Sequence, residues 1–276
     1  MLYKQNFQGK TCIVTGGASG IGFALCKALL EAKAIVVMAD RDKVKLQSSI
    51  NELQTIDPHI YSMEIDVTDS KMVQQAVDKV VEQYGHLDFI FNNAGISGTM
   101  PIEQATLEHW QHIVDINIWG VINGVHAALP VMLKQGSGHI INTASAAGIM
   151  PFPFQALYCT SKFAVVGLSE SLRLELSELG IHISVICPGN VKSAIFSKDA
   201  LGNYRETAPP EDAIEASEAA DIILKGITDK KGIIAFPETV EIFWDAYRTK
   251  PEAFEKKLLE MAQERRLAYS TKGTYY

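Results

Sequence analysis

A glycine-rich turn between a β-rich segment and a helix-compatible one constrains the fold of this chain more than any other feature. Thr15-Gly16-Gly17-Ala18-Ser19-Gly20-Ile21-Gly22 follows the segment 11–15 and precedes the run 23–33. Glycine permits a tight bend and close backbone approach, and a helix beginning there presents unpaired N–H groups and positive potential. Strand, turn and helix must therefore form one unit. Gly16, Ser19, Gly20, Ile21 and Gly22 are the candidate residues for cradling a pyrophosphate.

The next β-rich segment ends at Asp40, where an acidic side chain can meet the adenosine ribose hydroxyls of a dinucleotide. Its carboxylate would repel a 2′-phosphate. Ser19 adds no positive charge to the loop, so only Arg41 pulls toward NADP, and NAD is the expected cofactor. Further β-rich runs recur at 60–65, 87–91, 139–142, 182–186 and 232–236, with helical segments between them. Between 72 and 84 the residues Met72, Val73, Ala76, Val77, Val80, Val81 and Tyr84 form one apolar stripe, and Gly85 follows as a helix stop. This alternation predicts an α/β fold: a Rossmann-like, doubly wound parallel sheet of about seven strands with helices on both faces.

The rhythm continues to residue 236 without a linker, so residues 1–276 are expected to form a single domain. Two regions depart from it. Residues 190–212, with Gly202, Pro209 and Pro210, read as a long loop that would serve as a substrate lid. Residues 238–276 carry seven acidic and seven basic side chains with Phe243, Trp244, Phe254, Leu258, Leu259 and Met261 among them, and read as a C-terminal helical extension packed on the body or on another subunit.

Tyr158 and Lys162 are four apart on a helix-compatible run from 156 to 179, so the lysine charge can favour ionisation of the phenol. A free phenol has a pKa near 10, and proton transfer at neutral pH needs that help. Ser145 follows the fifth β-rich run, at the carboxyl edge where α/β sheets place ligands, and its hydroxyl can orient a reacting oxygen. Its neighbours two positions away are Thr143 and Ala147, not the glycines of a nucleophile elbow, which sets a serine hydrolase aside. Asn117 sits in an apolar helical run, 113–125, where asparagine has no propensity reason to be. A structural asparagine bonded to backbone is the ordinary alternative there.

Composition narrows the partners. With 276 residues, 47% hydrophobic and 21% charged, the chain can bury a sizeable core. A net charge of −7 opposes a general role on nucleic acid or anionic membranes. The start lacks the apolar core of a signal peptide and no uninterrupted apolar run is long enough to span a bilayer, so a cytoplasmic protein without membrane insertion is expected. Cys12, Cys26, Cys159 and Cys187 show no metal-ligand spacing and are expected as buried thiols, with no metal bound.

Taken in order, Gly16/Gly20/Gly22, Asn92-Asn93-Ala94-Gly95, Asn117, Ser145, Tyr158-x-x-x-Lys162 and Pro188-Gly189 resemble the short-chain dehydrogenase/reductase family over residues 7 to 236. The resemblance implies an NAD(P)-dependent oxidoreductase in which Tyr158 is the general acid/base. Lys162 would assist it and hold the nicotinamide ribose, and Asn117 would join a water-linked proton relay with Lys162. It implies further cofactor contacts at Asp66 and Val67, Asn93, Ala94 and Gly95, and Pro188, Gly189, Val191 and Ser193. The last stands where the family usually has threonine. It also implies a homotetramer or homodimer. A catalytically silent NAD-binding sensor or scaffold protein is the competing reading, and the complete Asn117, Ser145, Tyr158 and Lys162 set argues against it.

Residues flanking these motifs and the expected lid form the candidate substrate pocket: Ile96, Met100, Ile149, Met150, Pro151, Phe152, Phe154, Asn190, Ile195, Phe196 and Tyr204. Most are apolar and none is basic. A medium or bulky hydrophobic secondary alcohol or ketone, hydroxysteroid-like, aryl or fatty, is the expected substrate.

Overall fold

A computed structural model describes residues 2–197, 201 and 208–272. Seven strands, β1 (Thr11–Thr15), β2 (Ile35–Asp40), β3 (Ile60–Glu64), β4 (Phe89–Asn92), β5 (Gly138–Thr143), β6 (Ile181–Pro188) and β7 (Ile233–Phe236), form one sheet in the order β3-β2-β1-β4-β5-β6-β7. Every pairing is parallel. The strand order reverses between β1 and β4, the point where an open α/β sheet leaves a crevice beyond its carboxyl edge.

Alternate side chains along each strand enter different cores. Cys12, Val14, Val36 and Met38 pack with Leu25, Leu29, Ile223 and Leu224 of α1 (Gly20–Glu31) and α7 (Ala216–Thr228). Ile13, Val37 and Ala39 point the other way, to α3 (Ser70–Tyr84), α5 (Gly120–Gln135) and α6 (Ala156–Glu175) through Val77, Val80, Val125 and Val165. This period of two, with both faces apolar, is why the strands read as nearly continuous hydrophobic runs. α2 (Lys43–Leu53) opens with Asp42 accepting from the Lys45 N–H, and α3 with Asp69 accepting from Lys71 and Met72, satisfying first-turn donors.

The expected helix around Asn117 is not uniform. α4 (Leu107–Val114) runs into a single π turn, Asp115–Trp119, before α5 begins. By length and hydropathy this continuous run from Leu107 to Gln135 could cross a membrane, yet more than half of its most apolar window is buried within the fold. The C-terminal extension forms α8 (Glu238–Thr249) and α9 (Pro251–Lys272), and Phe254 buries its ring against Tyr247. All four cysteines are buried free thiols, as expected.

Far from the carboxyl edge of the sheet, His139 is buried between Phe89 and His182 and shares a 2.9 Å hydrogen bond with the Ser184 hydroxyl. Burial, aided by His182 and Lys230, lowers its pKa to about 3, so it is neutral in the native state. An unfolded histidine titrates near 6.5 and binds more protons over that interval, so this group removes stability as pH falls from about 6.5 toward 3. His139→Gln is expected to show a smaller loss of denaturation midpoint between pH 7 and pH 5 than the wild-type protein. Identical losses would mean that His139 does not carry this linkage.

Candidate active site

A cavity of ≈ 560 Å³ lies along the carboxyl edge of the sheet, within the range of cofactor and ligand sites. At its centre are Gly16, Ser19, Gly20 and Ile21, where α1 begins. Ser19 makes no side-chain cap to α1. Gly22 does not line the cavity. A Cβ there would collide with the Gly16 carbonyl oxygen and lie 2.7 Å from the Asn93 amide nitrogen, so its role is to let helix and loop touch. The chemistry present suits a pyrophosphate: a helix N-terminus and a side-chain-poor wall.

One end of the cavity is formed by Asp40, Arg41, Asp66 and Val67. Asp40 accepts hydrogen bonds from the backbone N–H of Ala18 (3.1 Å) and Asp42 (3.0 Å), so its carboxylate orders the glycine loop as well as lining the cavity. Lys45, ion-paired with Asp42, also lines this end, a cation the sequence reading missed although it lies one turn into α2. Asp66 accepts from both the backbone and the hydroxyl of Thr68.

Thr15 joins the glycine loop to the strand beside it. Its hydroxyl donates to Phe91 O and accepts from the N–H groups of Asn93 (2.9 Å) and Ala94 (3.1 Å), while Asn93 Nδ2 donates to Thr15 O. This sets Asn93, Ala94 and Gly95 along the wall. Pro188, Gly189, Val191 and Ser193 line the opposite side, and Val191 is tied to Ile214 by an isolated parallel bridge.

At the other end Ser145, Tyr158 and Lys162 share the cavity. Lys162 is 3% exposed, its Nζ donates to the Thr143 carbonyl at 2.9 Å and stands 5.6 Å from the centroid of the Tyr158 ring. Desolvation lowers its pKa to about 8, with buried Cys187 opposing that shift. Ser145 is brought against α6 by the turn that follows it: a Cβ on Gly148 would lie 2.7 Å from the Lys162 carbonyl oxygen, so the turn rests on the helix backbone. The Cys159 thiol is pushed up by burial and donates weakly to Phe152 O, which gives it no nucleophilic character.

Asn117 lies behind the wall, fully buried in the π turn, and does not line the cavity. Its Oδ1 accepts from Ile96 N (2.9 Å), and its Nδ2 donates to Ile96 O (3.0 Å) and Ser161 Oγ (3.1 Å). The side chain is bonded to backbone and Ser161, not to Lys162.

Among the expected pocket residues, Ile96, Met150, Phe152, Asn190, Ile195 and Phe196 line the cavity. Met100, Ile149, Pro151 and Phe154 do not. Ile149 is buried in the core on the α3, α5 and α6 side of the sheet, Met100 packs beside Ile113 and Leu157, and the Phe154 ring lies under the Arg266 guanidinium. Tyr204 and residues 198–200 and 202–207 of the expected lid fall outside the described residues. The sequence reading missed Ser97, Gln155, Phe243, Met261 and Arg265, all of which line the cavity. Gln155, one turn before Tyr158, could have been inferred from helical spacing. The last three come from α8 and α9, and no local signal joins them to the site. Arg265 also corrects the expectation of a pocket without a basic side chain.

Comparison with known proteins agrees with this geometry. Residues 10–202 match the family model described as short chain dehydrogenase. A 3-oxoacyl-[acyl-carrier-protein] reductase, FabG, of Thermotoga maritima is 33% identical over 201 residues, 73% of this chain and 81% of the relative. An uncharacterized oxidoreductase of Staphylococcus epidermidis is 32% identical over 219 residues, 79% and 91% of the two chains. The crystal structure of a short chain dehydrogenase/reductase from Burkholderia phymatum in complex with NAD superposes with a TM-score of 0.76 at 25% identity, covering 96% of this chain and 95% of that one. With the strand order, the glycine loop and the Tyr158–Lys162 pair already in place, these likenesses settle the family: the chain is an oxidoreductase of the short-chain dehydrogenase/reductase family.

Proposed function

We propose that this oxidoreductase transfers a hydride between NAD(H) and a secondary alcohol or ketone of medium or bulky hydrophobic character, with Tyr158 as general acid/base. The observation that carries the reading is the buried Lys162 ammonium, anchored on Thr143 O and set 5.6 Å from the Tyr158 ring in the cavity that also holds the glycine loop. A bound nicotinamide supplies or accepts the hydride. Tyr158 gives its proton to the carbonyl oxygen in reduction and takes it from the alcohol in oxidation. Ser145 orients the same oxygen.

Lys162 favours the ionised phenol while it is charged. A lysine with a pKa of about 8 is mostly charged at neutral pH and loses that charge above it. An ammonium has three donors; Thr143 O takes one, and the nicotinamide ribose hydroxyls are the partners that family resemblance gives the others. Asn117 serves as a positioning residue, holding Ile96 at the wall beside Gly95. Tyr158→Phe is expected to lower kcat for a panel of aryl and alkyl secondary alcohols by about 1,000-fold or more, and Lys162→Met by about 100-fold or more. NADH affinity in Tyr158→Phe should stay within about threefold, since the phenol acts on the substrate oxygen. NADH binding by the wild-type protein without turnover of any panel member would favour the sensor or scaffold reading.

Preference for NAD is supported by Asp40, whose charge faces the adenosine end; Arg41 and Lys45 pull the other way. Asp40→Asn keeps an acceptor for the Ala18 N–H and removes the charge. It should tighten NADPH about tenfold and weaken NADH severalfold in fluorescence titrations. A wild-type protein that already prefers NADPH would refute the assignment.

A homodimer or homotetramer is supported by apolar side chains left exposed near and along α5 and α6: Trp119, Leu133, Phe163 and Leu174. Light scattering should give two or four subunits, and a monomer at micromolar concentration would refute the assembly.

A further inference from the structure

The far wall of the substrate end comes from a part of the chain beyond the residues that match the family model. β7 delivers α8 to the rim of the cavity, where Thr239, Val240 and Phe243 line it. α9 then crosses back over the mouth, and Met261 and Arg265, one helical turn apart, complete the lining. The crossing is held at several points. Arg265 Nη1 donates to Pro153 O at 2.7 Å. Arg266 pairs with Glu103 at 2.7 Å and lies over the Phe154 ring, and Gln104 donates to the Tyr269 hydroxyl at 2.9 Å. The two segments gripped by α9 are themselves tied, since Met100 N donates to Phe154 O. They carry Ile96, Ser97 and Phe152 into the cavity.

We propose that α9 is the selectivity element of this site: Met261 limits the length of the apolar part of the substrate, and Arg265 receives an oxyanion, such as a carboxylate, at the end remote from the reacting carbon. The inference rests on the hydride-transfer reading for the identity of the reacting carbon. The apolar lining, Ile96, Met150, Phe152, Ile195, Phe196 and Phe243, lies along the same cavity as Tyr158 and Arg265 and suits the body of such a substrate. Arg265 lines the cavity while its Nη1 donates to Pro153 O, and the planar fork of a guanidinium is suited to carboxylate. The preferred substrate is thus an extended, amphipathic carbonyl compound.

The test uses the full chain loaded with NADH and two kinds of readout. For two aryl ketones of equal length, one ending in a carboxylate and one in the primary carboxamide, Arg265→Met should lower the carboxylate-to-amide ratio of kcat/KM about tenfold or more. A purely structural clamp through Pro153 would depress both substrates alike and leave the ratio unchanged. Met261→Trp should weaken both substrates. Binding is followed separately with anilinonaphthalene sulfonate and with uncharged phenylnaphthylamine. Arg265→Met should weaken only the sulfonate dye, about tenfold, and Met261→Trp should weaken both, while NADH affinity is unchanged in each variant. Dyes that respond equally to Arg265→Met, or do not respond to Met261→Trp, overturn the proposal. If wild-type protein reduces neither ketone, the hydride-transfer reading fails for this substrate class, and the dye measurements still decide whether α9 selects for length and charge.

Discussion

Burying the ammonium of Lys162 is the constraint on which the site depends. Removing such a charge from water is costly unless polar partners receive it. Here the carbonyl of Thr143, at the end of β5, accepts one hydrogen bond from it and locks α6 to the carboxyl edge of the sheet. The Ser145 turn then rests on the helix backbone at Gly148, which is how residues on separate elements come to share one end of the cavity. Depression of the lysine pKa to about 8 follows from the same burial. One desolvated cation therefore links sheet, helix and chemistry.

The other buried polar groups work as struts. Thr15 couples the glycine loop to the turn after β4 by accepting two backbone N–H groups, and Asp40 holds the same loop from the β2 side. Further in, Asn92 donates to Asn142 and Asn142 to Ser169, a polar chain from β4 through β5 to α6. Asn117 belongs with these struts. The π turn places an amide inside an apolar run and points it at the backbone of Ile96, a local departure from α-helix of the sort found at functional sites.

Much of the nucleotide half was legible because its signals are local. Strand, glycine loop, helix and terminal acid occur within thirty residues, and each part has a backbone or electrostatic reason to be there. Strand boundaries agreed to within about two residues because both faces of a central parallel strand must be apolar. The substrate half was legible only in part. Phe152 and Phe154 are two apart, yet one lines the cavity and the other lies under Arg266 on the outside. In an irregular turn no period says which way a side chain points.

By itself the sequence determined the doubly wound sheet, the place of the dinucleotide loop and the pairing of Tyr158 with Lys162, because these depend on periodicity, glycine and helical spacing along neighbouring residues. Only the tertiary structure decided that Asn117 braces a wall, that Lys45 joins Arg41 beside Asp40, and that Met261 and Arg265 close the far end of the pocket. α9 reaches that position through packing of Phe254 in the core and through bonds to Glu103, Gln104 and Pro153, the bonds joining residues more than a hundred apart in the chain. Such contacts depend on where the sheet ends and how the helix crosses it, and no window of local sequence contains both partners.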